Sequence, residues 1–118
     1  MFYGAAPPLP GHFQKVASAT DTSLTPLVAK PGAGRALQVT LAVIYNSNAS
    51  TGTGVTLKSA STVIFGPLPA PSGKGGCIVR FDPPLSCAEN EALNFDTQDS
   101  VTTITVSVLG YIAAAGQT

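Results

Sequence analysis

The chain predicts an all-β fold: an antiparallel β-sandwich, jelly-roll-like, of about eight short strands with an extended N-terminal arm. Three observations carry this. In Val101–Tyr111, Ile104, Val106 and Val108 alternate with Thr103, Thr105, Ser107 and Leu109. A period of two marks a strand with one face in a core, because successive side chains leave opposite sides of the backbone. The same writing recurs upstream, where Leu37, Val39, Leu41, Val43 and Tyr45 alternate with Ala36, Gln38, Thr40, Ala42 and Ile44. One of these two sets therefore faces a core. Finally, no segment shows helical periodicity, and turn residues punctuate the chain at short intervals.

The elements follow in order. Residues 1–14 form a head with no Lys, Arg, Asp or Glu, three prolines (Pro7, Pro8, Pro10) and the aromatics Phe2, Tyr3 and Phe13. Pro-rich chain favours polyproline II at ~3.1 Å per residue, so ten residues reach about 30 Å. Solvated tails rarely carry Phe and Tyr in place of charge, so an arm lying on a neighbouring subunit explains this composition better than a frayed end. Residues 15–118 are read as a single β-sandwich domain. Lys15–Thr20 opens it as a weak strand, and Leu24–Lys30 follows, ended by Pro31-Gly32-Ala33-Gly34. The long strand Ala36–Ser47 is closed by Asn46-Ser47-Asn48 and by Gly52 and Gly54. Val55–Ser59 and Thr62–Leu68 come next, with Pro67 and Pro69 restricting the second to an edge or an end. The loop Ala70–Gly76 leads to Cys77–Phe81, which Pro83-Pro84 is expected to stop. Ala92–Thr97 and Val101–Ile112 complete the fold.

Composition narrows function. The 118 residues make one domain, large enough to bury about two thirds of the unfolded chain's surface. Charged residues are 10%, where a soluble domain carries roughly 25%, and the formal net charge is zero. Such a surface has little electrostatic resistance to association and resembles the centre of a protein–protein interface; a plain Thr-rich β surface is the competing reading. Nucleic acid is not an expected partner, because Lys15, Lys30, Arg35, Lys58, Lys74 and Arg80 are scattered. A membrane is not expected either, since no apolar run approaches the ~18 residues of a span. The first basic residue is Lys15 and prolines break the only candidate apolar stretch, so no secretory leader is expected and synthesis is placed in a cytoplasm. Cys77 and Cys87 are then expected as two buried thiols, although their spacing also permits a bridge.

Catalytic and cofactor chemistry finds little support. His12 is the only histidine, and no acid–base partner stands near it in sequence. Two Cys and one His do not make an ordinary zinc set. Asp82, Glu89, Glu91, Asp96 and Asp99 concentrate in one stretch, but their spacing matches no calcium loop and the chain has no Trp platform for a glycosidase. Gly73-Lys74-Gly75-Gly76 lacks the spacing and the following Ser or Thr of a phosphate loop, and reads as a hairpin loop. Asn48-Ala49-Ser50 satisfies a glycosylation sequon that has meaning only on a secretory route. The sequence therefore predicts no catalytic, cofactor-binding or metal residue and no enzyme.

One resemblance adds to this. Ser23–Lys30 (SLTPLVAK) leads to Gly34–Asn46 (GRALQVTLAVIYN), then to Gly54–Ser59 (GVTLKS) and Ile64-Phe65-Gly66-Pro67-Leu68. A Gly-rich loop, Phe81-Asp82-Pro83-Pro84-Leu85, Asn90-Glu91-Ala92-Leu93-Asn94-Phe95 and a Thr/Val strand ending Gly110-Tyr111 follow. Over residues 15–112 this order resembles the small β-sandwich virion proteins of tailed bacteriophages, most of all capsid decoration or cement proteins. The resemblance implies a non-enzymatic homo-oligomer, a trimer in many such proteins, on the capsid surface and bound to the major capsid protein. The expected contact residues are Phe2, Tyr3, Pro7, Pro8, Leu9, Pro10 and Phe13 in the head, with loops at one end of the sandwich. The alternative is a tail fibre or baseplate module that binds a host-surface glycan or protein. Such a reader would carry exposed aromatics in its loops, and here Tyr45 and Phe65 belong to strands.

Overall fold

Apolar side chains at every second position can be buried only if strands pair and one sheet covers another, and that is what the chain does. The structure, a computed structural model, describes residues 11–101 and 103–115. Among these there is no helix, and eight antiparallel strands form two four-stranded sheets. The strands are β1 (His12–Ala19), β2 (Thr25–Val28), β3 (Arg35–Asn46), β4 (Thr53–Ser59), β5 (Thr62–Ala70), β6 (Gly76–Ser86), β7 (Leu93–Thr97) and β8 (Ile104–Ala114). One sheet has the order β1-β8-β3-β6 and the other β2-β7-β4-β5.

This is the jelly-roll order. β4 pairs with β5, β3 with β6, β2 with β7 and β1 with β8, as if one long hairpin turned between β4 and β5. Pairing of β3 with β8 and of β4 with β7 then rolls that hairpin into two sheets. Between them lies a core built from both inner faces. Leu37, Val39, Ala42 and Ile44 of β3 and Ile104, Val106 and Val108 of β8 face Val55 and Leu57 of β4 and Leu93 and Phe95 of β7. Each of the larger side chains contributes about 1.5–3 kcal/mol by leaving water.

Strand β3 departs from the sequence pattern. Its register shifts between Val39 and Leu41 against both neighbours, so Thr40 is an extra residue in the ladder. Thr40 Oγ1 donates to the Leu109 carbonyl at 3.2 Å. Before the bulge the inward residues are Leu37 and Val39; after it they are Ala42, Ile44 and Asn46. Leu41, Val43 and Tyr45, which alternate in phase with Leu37 and Val39, therefore face outward. The inserted residue reverses the phase of everything beyond it.

Several element boundaries also move, those of β1 and β6 with clear physical reasons. β1 begins at His12, ahead of the expected Lys15, so the end of the 1–14 segment belongs to the first sheet. β6 runs through Pro83-Pro84 to Ser86 instead of stopping there. Its ladder passes from the Leu41–Arg80 pair to the Val39–Leu85 pair, which lifts Phe81–Pro84 out of register. β6 is an edge strand, where prolines without N–H groups cost no inner hydrogen bonds. The Phe81 ring meets Phe65 of β5 edge-on, with centroids 4.9 Å apart, and ties the two sheets together on this side. β5, with Pro67 and Pro69, is the edge of the second sheet, where the prolines placed it.

Candidate functional site

The outer face of the β1-β8-β3-β6 sheet is the most distinctive surface of the molecule. Its geometry follows from strand register, since directly paired residues share a face. Ser18, Thr105, Tyr45 and Gly76 form one cross-strand row. Val16, Ser107, Val43 and Ile78 form the next, and Gln14, Leu109, Leu41 and Arg80 the third. His12 and Tyr111 continue the face toward the chain ends, their rings 5.9 Å apart and tilted by 41°.

These rows hold one charge, Arg80, and no carboxylate. Among the described residues seven large hydrophobic side chains are exposed, and four of them lie here: Ile78 (70%), Val16 (61%), Tyr45 (42%) and Leu109 (37%). At one end His12, Gln14, Thr40, Leu109 and Tyr111 line a shallow groove of about 470 Å³. The opposite outer face is different in kind. There Lys58 of β4 and Asp96 of β7 form an ion pair at 2.6 Å, beside the polar Thr56 and Asn94. The chain thus places its ion pair on one face and leaves the other with a single charge among polar and apolar side chains.

The acidic stretch is engaged structurally. Glu89 Oε2 accepts from the Gly34 N–H at 2.8 Å, and Glu91 Oε1 accepts from Ser59 Oγ at 2.6 Å. With Asp96 on Lys58, three of the five carboxylates are bound to groups of the chain itself. Among the described residues no group of three or more His, Cys, Asp or Glu could hold a metal ion. Cys77 and Cys87 are free thiols, not a bridge. Burial pushes Cys87 up to about 11, a rise that the Ser59 hydrogen bond opposes and the Glu91 charge reinforces. Burial also raises Cys77. Neither thiol has the electropositive setting of a nucleophile.

The loop motifs serve the fold. Asn48 Oδ1 accepts from the N–H groups of Ser50 and Thr51 at 2.9 and 2.8 Å, closing the turn between β3 and β4. In the loop between β5 and β6, Gly73 donates to the Asn48 carbonyl at 2.7 Å, which joins two turns at one end of the sandwich. No family model matches the chain, and no curated protein matches it in sequence.

Of the expected contact residues, Phe2, Tyr3, Pro7, Pro8, Leu9 and Pro10 lie outside the described residues. Phe13 is described, and it is a core residue, 8% exposed, instead of a contact on the surface. It pairs with Gly110 across β1 and β8, and a Cβ at Gly110 would collide with the Phe13 ring and with the Gln38 carbonyl. Glycine at 110 is what lets the ring lie down against the sheet. The exposed face itself escapes sequence reading, because the alternation in β3 puts Leu41, Val43 and Tyr45 on the same side as Leu37 and Val39. The available signal is Ile78 beside Arg80 in β6: paired to β3, they mark the outward rows.

Proposed function

We propose that this chain is a non-enzymatic structural protein of a bacteriophage virion that decorates and stabilises the capsid. In this reading it binds across neighbouring subunits of the major capsid protein and works as a homo-oligomer on the capsid surface. The observation that carries the reading is the broad outer face with Val16, Tyr45, Ile78 and Leu109 exposed and Arg80 as its one charge. A face of that kind, on a rigid sandwich whose carboxylates are largely tied up internally, suits contact with protein better than chemistry on a small molecule. The uncharged head and the loops at one end of the sandwich supply the capsid contacts, and the sheet face serves contact between copies. Many copies on a lattice act multivalently, so each contact can be modest.

The test is attachment to phage heads that lack the protein. Added full-length chain should saturate them and raise their resistance to heat, and a chain without residues 1–10 should fold but need a higher concentration to saturate. Equal saturation by both forms would remove the head from the contact. No binding by either would remove the capsid. A second reading, a tail fibre or baseplate module for a host-surface glycan or protein, draws on the His12–Tyr111 rings and the groove beside them. Retention on host-cell glycans, lost in Tyr111→Ala, would favour it over decoration.

A further inference from the structure

We infer that the outer face of the β1-β8-β3-β6 sheet is the contact of a two-fold dimer, in which β1 of each copy lies over β6 of the other. This deepens the assembly part of the functional reading and rests on the same face. The inference comes from the order of side chains along each row. A two-fold axis parallel to the strands turns every row onto itself in reverse. Val16 of one copy then meets Ile78 of the other, and these are the two most exposed large hydrophobics on the face. Ser107 meets Val43, Leu109 meets Leu41, and Tyr45 meets Thr105, so each bulky side chain falls on a partner that accepts it. Ser18 meets Gly76 at one corner. At the other, the Arg80 guanidinium meets the Gln14 side chain, whose carbonyl oxygen accepts from it.

Charge and size agree with this occupant. With no carboxylate in these rows, the face offers nothing to a basic partner, and its single cation sits on edge strand β6, where it stays at the rim. Four strands at ~4.8 Å and three rows at ~6.8 Å give a patch of roughly 400 Å² per copy. Two copies bury about 800 Å², below the roughly 1,000 Å² of a stable interface, which describes a weak, transient dimer. The packing is that of aligned sheets, ~10 Å apart.

The experiment is a charge exchange read by analytical ultracentrifugation of the free full-length chain, with circular dichroism to verify the β fold. Val16 and Ile78 are both exposed, so Val16→Lys and Ile78→Glu leave the core intact. The unaltered chain should be a dimer at concentrations on the order of 100 µM. Each single variant should dissociate at least tenfold more readily. The double variant should recover dimerisation, because the ammonium introduced at position 16 then faces the carboxylate introduced at position 78 of the other copy. That recovery should fade in high salt. A monomeric or trimeric unaltered chain overturns the inference. So does a dimer that survives both single substitutions, which would place the contact elsewhere. A double variant no better than the singles also overturns it, since an axis across the strands would set like charges against each other. No capsid enters this experiment, so its failure leaves attachment to heads standing, and failure to attach leaves the dimer standing.

Discussion

Asn46 is the side chain on which one end of the sandwich depends. It is fully buried at the end of β3, and its Nδ2 donates to the carbonyls of Thr51 and Ala70 at 3.0 and 2.9 Å. Its Oδ1 accepts from the Asn48 N–H at 2.8 Å. Asn46→Leu keeps the branched shape and removes all three bonds. At about 1 kcal/mol net for each bond, plus about 1–2 kcal/mol for the buried polar groups left short of a partner, the expected loss is about 4–5 kcal/mol. That is a large share of the roughly 6–18 kcal/mol expected for a chain of this length. Urea unfolding should show the midpoint falling by roughly 2 M with an unchanged slope. Asn46→Asp sharpens the test. Its ionised carboxylate would face two carbonyl oxygens with no proton to give, so it should be at least as damaging at pH 7. Once protonated, the introduced carboxyl can donate to one of them, which raises its folded-state pKa above the unfolded value. The deficit of that variant relative to the native chain should therefore shrink as pH falls through the carboxyl range. A loss below about 1 kcal/mol for the Leu variant, or an Asp variant whose deficit is flat between about pH 7 and pH 4, would refute the reasoning.

Two further outcomes follow from packing and burial. Phe13→Ala should cost about 3–4 kcal/mol in denaturant unfolding, as a buried aromatic does, and Gly110→Val should be worse, because its Cβ meets a backbone carbonyl that cannot yield. A Phe13→Ala chain of native stability would return that residue to the surface. Cys87 should resist a thiol reagent at about pH 8 until the chain unfolds, while half-buried Cys77 reacts first. Because the folded Cys87 thiol ionises only near about 11, the unfolded chain loses its proton sooner. Stability from this group is thus complete below the ordinary thiol pKa and declines as pH rises from there toward about 11. Equal labelling of both thiols in the folded chain would contradict their burial.

Alternation in Val101–Tyr111 is enough to name Ile104, Val106 and Val108 as core, and they are. Strand content and the edge position of β5 are equally legible, because they depend on local pattern and on a missing proline N–H. The outward face is not. Its identity depends on whether Thr40 occupies a place in the ladder or is squeezed out of it, which two neighbouring strands decide together. Likewise Pro83-Pro84 reads as a stop in isolation, yet on an edge strand the chain steps out of register and resumes at Leu85. Phe13 looks like part of an uncharged head because its counterpart, Gly110, lies at the far end of the chain. Residues whose role is set by distant partners are those that sequence reasoning misplaces.

The pairing of β1 with β8 has a consequence for how this protein is made. The earliest of the eight strands to leave the ribosome has its only sheet neighbour in the last. Until β8 has been made, His12–Ala19 has nothing to zip onto, and Phe13 has no Gly110 to lie against. Closure of the first sheet therefore waits for β8, and contacts so remote along the chain make for slow folding. A nascent chain stalled before residue 104 would hold its first strand open to any protease that reached it.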